Sequence, residues 1–456
     1  MRWRREKLEE EAKAYLEAHP ETIHIDAFII DLCGRAVGKR YPVDDLAKMF
    51  SSGSQLCAAT YLLDARGNSV DPLGYGFSDG DPDADSYPVP GTLTPVTWAE
   101  GGRGQCMLRL VNAGTSEPVW FEPRVVLEKV VRRFEELRLR PVVAVEVEFY
   151  LTDAERDERG APQLPRSPRT GQRVSSGKVF GLDVLDEFAA PLNAIETAAK
   201  AQRLPITTAL SEYGAGQFEI NLHHRDDPIG AADDAALLRR CVEECARATG
   251  FDATLMSKPF AEQSGSGLQI NMSVLDERGG NIFDPSSQDG ETNLRHAIAG
   301  LQATLAEAFA IFAPSVNASR RFEPNQFTPV TRDWGLNNRS MAFRIPASDA
   351  ANRRIEHRAA GAEANPYLVM AAVLAGAHYG LKNQLEPTEI ATGNAGADAD
   401  QSLPFTIWSA LDAMAAAKIL PDYLGEDYIE AYVAVKRGEF DAFMGEILPR
   451  EYDWYL

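Results

Sequence analysis

The residues best suited to chemistry are acidic, and most of them lie among apolar neighbours. Glu146 and Glu148 sit in Val145-Glu146-Val147-Glu148-Phe149-Tyr150-Leu151. The β-branched and aromatic composition from Val142 to Leu151 reads as a strand. Residues two apart on a strand share a face, so the two glutamates stand side by side. Unpaired carboxylates in a buried strand are costly. Glu219 repeats the oddity in Gln217-Phe218-Glu219-Ile220-Asn221-Leu222, after Glu212 and a Gly-rich turn, and Glu356 stands between arginines in Arg353-Arg354-Ile355-Glu356-His357-Arg358. Each has a bland explanation: a salt bridge for Glu356, a strand end meeting solvent for Glu219, arginine partners for Glu146 and Glu148. Together they point elsewhere. Carboxylates gathered in apolar surroundings are stabilised most directly by divalent cations, and hard oxygen ligands suit Mg²⁺ or Mn²⁺. Such ions often accompany an anionic substrate such as a nucleotide phosphate. Arg320, Arg321, Arg339, Arg344, Arg353, Arg354 and Arg358 add guanidinium groups suited to phosphate and carboxylate. A solvated basic face is the alternative, against which stands Arg344, flanked by Phe343 and Ile345. No GxxxxGK[ST] sequence occurs, and Ser264-Gly265-Ser266-Gly267 is a weak signal by itself.

The elements that must position these groups follow a mixed pattern. Short strand patterns over 22–35 and 56–64, then "DSYPVPGTLTPVTW" and "GQCMLRLVN", predict a small β-rich unit. A helix is expected from Pro123 to Leu137, then the glutamate strand, then a polar loop over about 153–178. Further helices are expected near 182–203, 230–249, 290–312, 365–383 and 436–450, with strands near 217–223, 252–257 and 267–274. The chain of 456 residues is too long for one ordinary core. It divides into an N-terminal helix (1–20), a small domain (21–122) and a large domain (123–456).

Composition excludes several classes. With 45% hydrophobic and 25% charged residues the chain reads as globular, and no segment is long and apolar enough to span a membrane. The charged start lacks the apolar stretch of a signal peptide. A formal charge of −21 argues against a nucleic-acid partner. Cys33, Cys57, Cys106, Cys241 and Cys245 have no zinc spacing and suit reduced thiols in a cytoplasmic protein.

Taken in order, "VEVEFYL", "SEYGAGQFEINL", "GSGLQINMS", "APSVNASRRF", "NNRSMAFRIP" and "RRIEHRAAGAEANPYLVMAA" resemble the glutamine synthetase family. Within it they are most similar to the bacterial γ-glutamylputrescine synthetases and related γ-glutamyl-amine ligases. The resemblance covers nearly the whole chain. It implies an α+β protein with a small N-terminal β-grasp domain and a large catalytic α/β domain. It also implies a homo-oligomer of six-membered rings, hexamer or dodecamer, with active sites between subunits. The implied reaction joins glutamate to an amine, with ATP as second substrate and two or three Mg²⁺ or Mn²⁺ ions per site. Carried over by motif, Glu148, Glu212 and Glu219 hold one metal, while Glu146, Glu356 and Gln269 hold another. Gly265, Arg321 and Arg358 bind glutamate. Asn271, Ser273, Arg339, Arg344 and Arg354 bind ATP, with Arg339 and Glu212 catalytic. Two departures stand out. Gln269 and Asn271 replace the histidines of the family's GxGMHxH. Phe327 replaces the flap glutamate that serves ammonium, which suits a carbon-bearing amine, with Asp64 of a neighbouring subunit as a second amine contact. Alternatives are a glutamine synthetase using ammonium, or an impaired homologue with a ligand-binding or regulatory role.

Overall fold

The computed structural model describes residues 2–456. A first sheet is built from β1 (His24–Ile30), β2 (Ala36–Pro42), β3 (Ser54–Cys57), β4 (Asp83–Pro88), β5 (Thr94–Val96) and β6 (Arg103–Val111). Its order is β2-β1-β6-β4-β3, with β5 on β6, and the β1–β6 pair is parallel. The apolar run after β3 differs from expectation: residues 58–62 form a 3₁₀ turn that buries Tyr61 and Leu62. A helix from Pro123 to Glu136 leads away. Proline opens it where its missing N–H costs nothing, and Val126, Leu127, Val130 and Phe134 form its buried stripe.

The second sheet contains β7 (Arg140–Asp153), β8 (Ile206–Ser211), β9 (Gln217–Leu222), β10 (Phe251–Thr254), β11 (Leu268–Leu275), β12 (Trp334–Leu336), β13 (Phe343–Ile345) and β14 (Ile355–His357). Its order is β12-β13-β14-β11-β7-β9-β8, with β10 also paired to β7. Strand β7 is therefore the hub. Val143, Val145 and Val147 are buried on the side where the helix Pro228–Ala248 packs. The alternate set, Ala144, Glu146 and Glu148, faces the other way, as a period of two requires. The architecture is α+β, a small N-terminal sheet unit followed by a large sheet-and-helix unit. Among the described residues no helix is long and apolar enough to cross a membrane.

Candidate active site

Strand pairing brings the acidic residues onto one sheet face. Glu148 lies directly opposite Glu219 across β7 and β9. On the other side Glu146 pairs with Gln269 of β11, whose Asn271 pairs with Glu356 of β14, itself opposite Arg344 of β13. Like charges set opposite one another on a sheet destabilise it. The register thus accumulates carboxylate charge that something else must offset.

Part of the offset is internal. Glu148 accepts hydrogen bonds from the Gly267 N–H (2.7 Å) and from Gln269 Nε2 (2.9 Å). Glu356 accepts from Arg344 (2.5 Å) and from Arg358. Glu146 accepts from Asn271 Nδ2 (2.8 Å), and Asn271 Oδ1 accepts from Arg354 Nε (2.9 Å). The rest is uncompensated. Burial, then the neighbouring Glu356, pushes the Glu146 carboxyl above its ordinary range. Burial and Glu148 do the same to Glu212, and burial with Glu146, Glu148 and Glu212 does so most strongly to Glu219.

This donor set fits a divalent cation. It is oxygen-rich and buried, and its carboxylates push one another's pKa values up, a cost that Mg²⁺ or Mn²⁺ would relieve. Among the described residues, no three acidic or imidazole groups converge closely enough to hold an ion as they stand. Gln269, expected as a metal ligand, bridges two charged side chains. Its Oε1 accepts from Arg358 (2.8 Å) while its Nε2 donates to Glu148. Flipping the amide would aim NH₂ at a guanidinium and oxygen at a carboxylate, so the orientation is fixed by charge. Its oxygen therefore faces a cationic side chain.

Two adjoining cavities open on this face. A narrow one of about 90 Å³ is lined by Glu148, Glu212, Glu219, Gly265, Gln269, Arg321, Phe327, Arg339 and Arg358. A wider one of about 800 Å³ is lined by Glu146, Asn271, Ser273 and Arg354. The i, i+2 pairs Glu146/Glu148 and Gln269/Asn271 straddle the border, one member in each cavity. Arg344 and Glu356 lie behind it as an ion pair, and burial pulls the Arg344 pKa below its ordinary value. Arg339 is exposed at the rim of the narrow cavity.

Arg321 is more constrained than expected of a substrate grip. It is 6% exposed and donates to the carbonyls of Ala359 (2.9 Å), Ala360 (3.1 Å) and Arg358 (3.3 Å). It braces the 265–267 loop so closely that a Cβ on Gly265 would meet its Cγ at 2.6 Å. Burial lowers its pKa to about 10. Asp64, expected as an amine contact from a neighbouring subunit, fastens its own loop within this chain. Its side chain is fully buried and holds its own loop, accepting from the Arg66 and Asn68 N–H groups (both 2.9 Å) and from the Arg66 guanidinium (2.8 and 3.0 Å).

Sequence reasoning missed residues that line the cavities. His223 and His224 border the wide one. Phe180 and Tyr213 border the narrow one, beside Phe327. The available signal was weak: a large aromatic in a Gly-flanked loop, and another next to a candidate acid.

An acidic sheet face set among arginines, preceded in the chain by a small sheet unit, is the arrangement expected of an enzyme of the glutamine synthetase type. The profile described as glutamine synthetase, catalytic domain, matches residues 121–455. The chain belongs to the glutamine synthetase family. It is 40% identical to the γ-glutamylputrescine synthetase of Escherichia coli over 98% of this chain and 94% of that protein. It is 31% identical to a glutamate–isopropylamine ligase from a Pseudomonas species, over 84% and 82% of the two chains. A solved structure described as a GmaS/ADP complex superposes with a TM-score of 0.82 at 24% identity, covering 97% of this chain and 98% of that one, a likeness of fold.

Proposed function

We propose that this chain is an ATP-dependent ligase that joins the γ-carboxylate of glutamate to a primary amine, a polyamine or monoamine, through γ-glutamyl phosphate. The observation that carries the reading is one sheet face shared by two cavities, the narrow one rich in carboxylate and guanidinium groups, the other large enough for a nucleotide. Relatives named for joining glutamate to putrescine and to isopropylamine support an amine as acceptor.

In this reading glutamate occupies the narrow cavity, held by Arg358 and the backbone at Gly265, with Arg321 shaping its floor. ATP occupies the wide cavity beside Asn271, Ser273 and Arg354. Divalent ions would be held by Glu148, Glu212 and Glu219 and by Glu146 with Glu356, and when bound they offset the charge of phosphates and glutamate. The γ-phosphoryl group passes to a γ-carboxylate oxygen of glutamate and ADP leaves. Arg339, at the rim, balances charge on the phosphoryl in transit. The amine nitrogen then attacks the acyl carbon, the bond to phosphate oxygen breaks, and the nitrogen releases a proton as the amide forms. Glu212, which lines the narrow cavity, takes that proton. Water must be excluded because an acyl phosphate hydrolyses. Assembly into rings, single or stacked, is part of the same reading. Phosphate release dependent on glutamate, ATP and an amine, with mass-spectrometric identification of the amide, tests it. ATP turnover with no amide from any amine in the panel would overturn it.

A further inference from the structure

The mouth of the narrow cavity carries three large aromatic side chains that the fold leaves in the open. Phe180 is 61% exposed, Tyr213 52% and Phe327 51%, and the last two lie against each other, tilted by 38°, with ring centroids 5.4 Å apart. Solitary exposed aromatics need no explanation, but three around one opening do. Their placement is imposed by the backbone. Phe180 has φ = 59°, a left-handed conformation that a bulky side chain adopts only when its surroundings compel it. The compulsion is visible. The Phe180 N–H donates to the Ser211 carbonyl (2.9 Å), and Ser211 Oγ donates to the carbonyls of Lys178 (2.8 Å) and Gly181 (3.3 Å). Gly177 approaches the Tyr213 carbonyl so closely that a Cβ there would sit 1.9 Å from it. The 177–181 turn is thus fastened along residues 211–213, immediately beside Glu212. A strained residue with an exposed phenyl ring is held at the entrance by contacts that serve no packing need of that ring.

We propose that Phe180, Tyr213 and Phe327 form the specificity wall for the amine, and that what they recognise is the alkyl chain behind the reacting nitrogen. This rests on the glutamate–amine ligase reading and names its substrate class: primary amines with an aliphatic chain of two or more carbons, in preference to ammonium or methylamine. The rings offer apolar area. The carboxylates Asp183 and Glu323, near this rim, already pair with Lys178 (2.5 Å) and Lys258 (3.7 Å). A second ammonium at the far end of a diamine therefore finds no unpaired acid in these two, and the chain itself is the feature that monoamine and diamine share.

The test is the ratio of kcat/KM for butylamine, and separately for putrescine, to that for methylamine, in the parent and in Phe180→Ala, Phe180→Asn and Tyr213→Ala. Each variant is expected to lower the ratio about tenfold, through KM more than kcat. A fall with butylamine or with putrescine supports the wall and identifies which source it serves. Asn tolerates the left-handed conformation, so Phe180→Asn is expected to keep or raise Tm while losing selectivity, which a purely structural role would not produce. An active parent whose ratios are unchanged in all variants overturns the wall alone. A parent that makes no amide from any amine overturns the ligase reading and the wall with it.

Discussion

Glu122 supplies a pH dependence whose size follows from its surroundings. It stands at the start of the helix Pro123–Glu136 and is 1% exposed. One carboxylate oxygen lies 3.4 Å from the Leu110 N–H. The two nearby arginines are engaged elsewhere: Arg124 with Asp233 (3.0 Å) and Glu128 (2.8 Å), Arg109 with Glu128 (3.5 Å). Burial therefore dominates, and the carboxyl is pushed from 4.5 up to about 7. The folded state holds this proton more tightly than the unfolded chain does. The associated stability is fully present below pH 4.5 and is lost as pH rises through about 7. At about 1.4 kcal/mol per pH unit the difference amounts to roughly 3 kcal/mol. Glu122→Gln keeps the shape and removes the titration. It is expected to leave Tm little changed at pH 4.5 and to raise it at pH 8 by on the order of 5 °C. Scanning calorimetry of parent and variant at matched concentration and ionic strength measures this. Subtracting one from the other cancels the titration of the active-site carboxylates. A Tm gap that is the same at both pH values, or a variant less stable at pH 8, would refute the reasoning.

Other outcomes are expected of the active site and of a buried lysine. Mg²⁺ or Mn²⁺ added to metal-free protein should raise Tm, by about 2.7 kcal/mol of stabilisation at a hundredfold excess over Kd; a melting curve indifferent to both ions and to EDTA counts against the carboxylate assignments. Glu212→Ala and Arg339→Ala should each abolish amide formation, the arginine change by about a thousandfold or more, with the oligomer intact by light scattering. Near-normal turnover in Arg339→Ala would remove that residue from the phosphoryl site. Gln269→Ala leaves Arg358 and Glu148 each short of a partner, so it should weaken glutamate binding and stability together by about 1–3 kcal/mol; unchanged calorimetric binding of glutamate would dismiss the bridge. Lys436, 4% exposed and 3.0 Å from Glu439, should cost about 3–5 kcal/mol when replaced by Met, read as a fall in Tm.

The parts of the fold legible in the sequence were those where local pattern and tertiary demand agree. Strand β7 was readable because β-branched residues alternate with the two glutamates, and the helix Pro123–Glu136 because proline opens an apolar stripe. Where the chain breaks for tertiary reasons, pattern misled. The helix expected over 290–312 gives way after Thr304 and resumes as Phe309–Phe312, and the one expected at 436–450 begins at Glu426. Residues 182–203 contain two helices separated at Phe188. The charged site residues could be picked out because a carboxylate in an apolar strand is expensive wherever the strand goes. Phe180 could not, because its importance lies in a left-handed backbone angle imposed by Ser211 and by the close approach at Gly177. Asp64 looked like an available acid and is a loop fastener, since nothing in "LLDARGN" reveals that Arg66 and Asn68 turn back onto it.

Strand β7 has one more consequence, for how such a protein can change. It pairs with β9, β10 and β11, and its two glutamates point to the cavities while the intervening valines point to the helices. A slip of one residue would turn Glu146 and Glu148 into the core and Val145 and Val147 into the site. The positions of Glu146 and Glu148 therefore cannot be moved along the strand without turning the core outward. The rim is under no such constraint. Phe180, Tyr213 and Phe327 can each be exchanged without moving a strand. On the proposed assignment of the rim, chemistry and substrate choice are separable traits in this chain, and a search for new acceptor amines would vary the rim while holding the floor constant.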